Sequence, residues 1–271
     1  MAAEQFRIDY AVNLVNAFAQ PTAAAANSRR GKFFPHISRA DIVAGLIERV
    51  RDPTKQNQAS ASLCGPAALL YCILNEHPDV YAQYVMDLFE TGEGRIGALK
   101  VKPGAECRNY APPQGKIAPV DWVALASLRD SENTALSYAS VDDDVAGITM
   151  PHTLASWFRD AGYAGVRNDT NVVFRKGQKE IDACKQDFDL NRDVCLFIGA
   201  NMLTPATNKK RSSTADHWVV LDAAPQIANG AISLSVYSWG KIVPIPSSGS
   251  LSVEDFARNF LGYVSAKPVY S

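Results

Sequence analysis

Cys64 is the residue of this chain best placed to act as a nucleophile. A polar, small-residue stretch (54–62) runs directly into Leu63-Cys64-Gly65-Pro66-Ala67-Ala68, so the thiol falls in the first turn of an apolar, helix-length run ending at Leu74. Pro66 fits a helix only in that turn, where its missing N–H has no intrahelical acceptor to lose. Unpaired N–H groups and the positive end of the helix dipole favour a thiolate there, and the thiolate is the attacking species. Gly65 adds no side chain beside the sulfur, which leaves room for a substrate carbonyl. Gln58, six residues upstream on the incoming loop, carries a carboxamide able to share a developing oxyanion with the Cys64 N–H. Cys72, mid-helix, reads as core packing.

A nucleophilic cysteine needs a base, and the chain holds four histidines. His36, His77 and His152 sit at helix boundaries and read as structural or exposed. His217 opens the apolar strand His217-Trp218-Val219-Val220-Leu221 where a polar loop ends, a place from which a rigid sheet can present an imidazole. A third residue must orient that ring. Asp222 lies five residues along the strand, roughly 16 Å away and on the opposite face, and Asp216 points away by the same alternation. If residues 231–238 pair back as a hairpin across Ala223–Gly230, Tyr237 or Ser238 comes near His217. Ser238 accepts from an imidazole N–H, and Trp239 is positioned to shield the pair from water.

Other chemistries find little support. Gly92-Glu93-Gly94-Arg95-Ile96-Gly97 matches the dinucleotide-binding fingerprint, but a helix precedes it and no helix N-terminus follows to hold a pyrophosphate, so it reads as a glycine-rich loop. No Gly-x-Ser-x-Gly elbow occurs. The five cysteines show no regular spacing and no Cys-x-x-Cys, which disfavours a zinc site and a disulfide framework. With 27 Lys+Arg against 28 Asp+Glu, no global field favours nucleic acid or an anionic membrane; the basic run Asn208-Lys209-Lys210-Arg211 reads as a solvated loop. No window reaches membrane-spanning length, and the N-terminus lacks the pattern of a secretory signal. The expectation is synthesis in the cytosol, with a signal-independent export route compatible.

The elements that must position these residues divide by texture. Helices are expected over 4–19 (apolar face Phe6, Tyr10, Leu14, Val15, Phe18), from Ser38 to Pro53 (Ile42, Val43, Leu46, Ile47, Val50), over 64–74, and over 79–90. Residues 91–120, rich in Gly and Pro, read as a long connection. Short helices follow near 121–129 and 151–161. From 165 onward short β-branched runs predominate: 172–174, 194–198, 217–221, 232–237, 242–245 and 262–265, interrupted by a helix near 252–261. The fold class is therefore α+β, with a helical part (1–164) carrying the nucleophile packed on a C-terminal antiparallel sheet (165–271) carrying the histidine, as one catalytic unit.

Gln58, Cys64-Gly65, His217 and Tyr237-Ser238-Trp239-Gly240 together resemble the papain-like superfamily. Its pattern is a Gln six residues before a Cys-Gly helix start, a His on a later strand, and an orienting residue just ahead of Ser-Trp-Gly. The family's orienting Asn falls on Tyr237, so Ser238 substitutes or the site is a dyad. The run Leu63–Ala68, with Asp87-Leu88-Phe89-Glu90-Thr91-Gly92, also resembles bacterial papain-like effectors associated with type VI secretion. The resemblance implies a papain-like fold and a cysteine-dependent hydrolase of amide bonds, a protease or peptidoglycan amidase, without metal or organic cofactor. Its partners would be a peptide, protein or peptidoglycan substrate, a cognate immunity protein and secretion machinery. A glutamine deamidase toxin and a non-catalytic binding module on the same fold are the alternatives.

Overall fold

A computed structural model describes residues 2–20, 31–59, 61–132, 149–171, 174–204 and 217–268. Asn208–Arg211, Asp216 and Val172-Val173, singled out in the sequence, lie outside them. The class is α+β, with helices predominating in the N-terminal part and a six-stranded antiparallel sheet in the C-terminal part. Contacts group the chain into two compact units, Met1–Thr149 and Met150–Ser271. The division falls ahead of the change of texture at 165, because a helix at 151–160 contacts strands of the C-terminal sheet.

The first unit is built from α1 (Ala2–Ala19), α2 (Arg39–Arg51), α3 (Cys64–Glu76) and α4 (Pro78–Thr91). α2 starts as its sequence dictates: Ser38 Oγ accepts from the Asp41 N–H and Asp41 caps Ser38 in return. α3 is apolar all round and buried from Cys64 to Leu74, as a central helix must be. α1 departs from the expected face. Ala11 and Val15 are fully buried, whereas Phe6 and Tyr10 are 70% and 50% exposed. α1 packs on α2 and α4 through Ala11, Val15 and Phe18, whose ring meets Phe89 edge-on with centroids 6.1 Å apart, so the expected face holds in its C-terminal half and fails at Phe6 and Tyr10.

The expected connection 91–120 contains structure. Gly92, at φ +74, ends α4 in a left-handed cap, and β1 (Gly94–Ile96) and β2 (Leu99–Val101) form a hairpin. The fingerprint-like glycines are thus a helix cap and a hairpin, not a phosphate loop. α5 (Ala105–Asn109) follows, and α6 (Pro119–Asp121) passes through a π turn (Trp122–Ala126) into α7 (Ser127–Glu132). Tyr84 Oη donates to the Ala124 carbonyl within that turn at 2.8 Å.

The second unit comprises α8 (Pro151–Asp160), α9 (Gln178–Asp189), α10 (Val253–Ala257) and strands β3 (Ala164–Thr170), β4 (Asp193–Ile198), β5 (His217–Ala228), β6 (Ala231–Ser238), β7 (Lys241–Ile245) and β8 (Phe260–Lys267). The sheet order is β3-β8-β4-β5-β6-β7, antiparallel throughout. Three features go beyond the expected pattern: a strand occupies 164–170, a helix occupies 178–189, and β5 continues to Ala228 through two register shifts that accommodate Asp222 and Pro225. The β5–β6 turn is therefore the two residues Asn229-Gly230, both at positive φ, rather than all of 223–230.

Candidate active site

Cys64 stands at the first position of α3, preceded by Leu63, whose side chain offers no capping hydrogen bond. The first intrahelical bond of the helix runs from the Ala67 N–H to the Leu63 carbonyl at 2.9 Å, so the N–H groups of Cys64 and Gly65 lie ahead of it. No acidic residue occupies the first turn to oppose a thiolate. Cys64 as a residue is 6% exposed.

The space beside Gly65 is already occupied. A Cβ there would lie 2.2 Å from Thr149 Oγ1 and 2.3 Å from Thr149 Cβ. The glycine therefore admits buried Thr149 against the helix start, which corrects the expectation that it leaves room for substrate. Nothing in the local sequence marks this pair, because Thr149 is remote from Gly65 along the chain.

Gln58 is buried on the loop before α3, and its Nε2 donates to the Ala61 carbonyl at 3.0 Å. A carboxamide nitrogen carries two hydrogens, so this bond leaves a second donor on the same group. The loop is held on both sides: Gln56 Nε2 donates to the Ala67 carbonyl of α3 at 2.8 Å, and the Asn57 N–H donates to Asp121 Oδ2 at 3.1 Å.

In the second unit, His217 is the first residue of β5, and Ser238 is the last of β6. Pairing of Val220 with Tyr237 sets His217, Val219 and Leu221 on the same face as Ser238 and Val236. Val219, Leu221 and Val236 belong to the apolar core, so the core face of the sheet ends in a polar pair. His217 Nε2 and Ser238 Oγ are 2.7 Å apart. In the tautomer that donates from Nε2 to the hydroxyl, Nδ1 keeps its lone pair and can accept a proton. Tyr237 lies on the opposite face. Asp222, exposed at the first register shift, accepts from Ser235 Oγ at 3.2 Å.

Trp239 closes over the histidine. Its ring stacks on the imidazole with centroids 4.6 Å apart and planes 25° from parallel. Ser238 pairs with Lys241, leaving Trp239-Gly240 as a two-residue turn at φ +48 and +73. A tryptophan at positive φ is strained by about 1–2 kcal/mol, and the stacked position follows from that turn. Burial lowers the His217 pKa to about 4, so the ring is neutral near pH 7 and available as a base.

The remaining thiols have no such setting. Burial pushes Cys184 up to about 12 and Cys107 well above its ordinary value, and Cys72 and Cys195 are fully enclosed. His36 and His152 are exposed and His77 joins α3 to α4. Among the described residues no three His, Cys, Asp or Glu side chains gather as a metal site, and no helix is long and apolar enough to cross a membrane. Comparison with known proteins returns no matching family model, no similar curated protein and no similar solved structure.

Proposed function

We propose that the protein is a cysteine-dependent amide hydrolase of papain-like type. Cys64 is the nucleophile, His217 the general base and acid, Gln58 an oxyanion donor, and Ser238 the residue that orients the imidazole. The observation that carries this is the His217 environment: a buried ring with Nε2 2.7 Å from the Ser238 hydroxyl and its face stacked on the Trp239 indole, which in the Nε2–H tautomer leaves Nδ1 to move protons.

His217 Nδ1 takes the Cys64 thiol proton as the sulfur attacks the amide carbonyl carbon. The oxyanion is met by the Gln58 carboxamide and the backbone N–H at the start of α3. As the C–N bond breaks, the imidazolium returns its proton to the leaving nitrogen. Water then attacks the thioester, giving one proton to His217, and the released thiolate recovers it. The sequence resemblance supports an antibacterial effector acting on a peptide, protein or peptidoglycan amide, delivered from the cell that makes it.

Acyl transfer can be tested without the natural substrate by following acetylation from p-nitrophenyl acetate and mapping the adduct by mass spectrometry. The expected result is an adduct on Cys64, absent in Cys64→Ala and slowed in His217→Ala, with Cys64→Ala/His217→Ala no worse than Cys64→Ala alone. Members of one catalytic set are non-additive in this way. Adduct on another cysteine, or undiminished reaction in His217→Ala, would overturn the assignment.

A further inference from the structure

We infer that the buried Arg49–Asp121 pair is a positioning device for the loop that carries Gln58, fixing the backbone at Asn57 and so the direction in which the Gln58 carboxamide is presented at the start of α3. This role rests on the proposed assignment of Gln58 as oxyanion donor.

Asp121 is fully buried at the end of α6, immediately before the π turn. Its Oδ1 accepts from Arg49 Nε and its Oδ2 from Arg49 Nη2, both at 2.7 Å, a two-pronged pairing of carboxylate and guanidinium. The same Oδ2 also accepts the Asn57 N–H at 3.1 Å. That third bond joins the pair to a loop 64 residues away in sequence. A buried ion pair is often replaceable by apolar side chains without loss of stability, so stability alone explains this one poorly.

What the pair does hold is one residue of a segment that is also tied at Gln56 and Ala59, on either side of Gln58. Gln56 is bonded to the Ala67 carbonyl in the first turns of α3. Asn57 Oδ1 accepts the Ala59 N–H at 2.7 Å, and Ala59 sits at φ +53, a conformation an L-residue adopts only when its surroundings impose it. Gln58 lies between these anchors, with one amide hydrogen on the Ala61 carbonyl. Release of the Asn57 N–H frees the backbone next to Gln58 while leaving Cys64 and α3 intact.

Two reactions of the same sulfur separate this role from general damage. Acetylation by p-nitrophenyl acetate passes through an oxyanion; alkylation by iodoacetamide is a displacement at saturated carbon and does not. In Arg49→Met/Asp121→Leu, which removes both buried charges together, acetylation of Cys64 should fall about tenfold or more while alkylation stays within about twofold. The same split is expected for Asn57→Pro relative to Asn57→Ala, which deletes the N–H with the ion pair intact; Gln56, at φ −62 and ψ 125, has the backbone a following proline requires. This variant decides the matter if the first fails to fold. Combined with Gln58→Ala, either change should add nothing further to the acetylation loss. Parallel decline of both reactions, or acetylation unchanged, overturns the positioning role and leaves the nucleophile standing. A wild-type Cys64 that takes neither reagent removes the nucleophile itself, and this role with it.

Discussion

Burial, rather than a charged neighbour, sets the charge of His217. An imidazolium at that position would exchange water for a hydroxyl and an indole, so its pKa falls to about 4. The unfolded chain binds that proton near pH 6.5. Between the two values the unfolded state holds more protons than the native one, so stability is full above about pH 6.5 and declines as the pH drops through this window, with the loss complete below about 4. The effect is on the order of 3 kcal/mol. Urea unfolding of the wild type and His217→Asn across pH 4–7 should show a flatter profile for the variant; identical slopes would mean that the ring is not buried as a neutral group. At the same site, Ser238→Ala removes one hydrogen bond, about 0.5–1.5 kcal/mol, and should slow Cys64 acetylation by up to about tenfold, whereas Asp222→Asn should leave it unchanged. The reverse ranking would mean that Asp222, not Ser238, orients the ring. The His217–Ser238 contact and the place of Cys64 at a helix start were legible in the sequence, because all three residues sit at element boundaries that local pattern reveals. Asp121 and Thr149 were not legible. Each meets its partner across a long sequence separation, Arg49 and Asp121 being 72 residues apart, and no local pattern encodes such a meeting.

At the scale of elements, the helix that presents Cys64 is shaped by what lies against its first turn. Thr149 fills the site of a Gly65 Cβ, so Gly65→Ala must displace a fully buried side chain. Overpacking of this kind costs about 1–3 kcal/mol; the variant should unfold at correspondingly lower urea concentration, and a neutral result would show that Thr149 yields easily. Gly262 answers a different close approach: at φ +112, a Cβ there would lie 1.9 Å from the Asp169 carbonyl of β3. α2, with its buried apolar stripe, followed from periodicity, and α3, apolar all round, from the length of its apolar run. α9 did not, although Ile181, Cys184 and Phe188 recur at helical spacing, because its other positions are polar and its neighbours read as strands. β3 had no apolar alternation to find. Largely exposed and polar, it is a strand through its pairing with β8, which is information held elsewhere in the chain.

For the whole molecule, the near balance of charge leaves recognition to local chemistry, and the chain's two compact units place the proposed nucleophile and base in different ones. The second unit has what an independent domain requires. Its sheet is antiparallel, with β4 to β7 paired in chain order and β8 returning between β3 and β4, and one apolar cluster joins α9, β4, β5, β6, β7, β8 and α10. α9 is tied to that sheet by a buried carboxylate: Asp187 accepts from Ser265 Oγ on β8 and from Arg167 on β3, each at 2.5 Å, with Arg192 Nε at 3.5 Å. Residues 150–271 expressed alone should therefore unfold cooperatively in urea, while lacking Cys64 and any acyl transfer. Asp187→Asn in this fragment should cost about 1–3 kcal/mol, because Arg192 and Ser265 lose a buried charged acceptor while Arg167, 59% exposed, stays solvated. A fragment that binds hydrophobic dye and shows no cooperative transition would mean that the sheet depends on residues 1–149 for its core. A cooperative fragment indifferent to Asp187→Asn would mean that packing of Ile181 and Cys184, rather than the carboxylate, holds α9 in place.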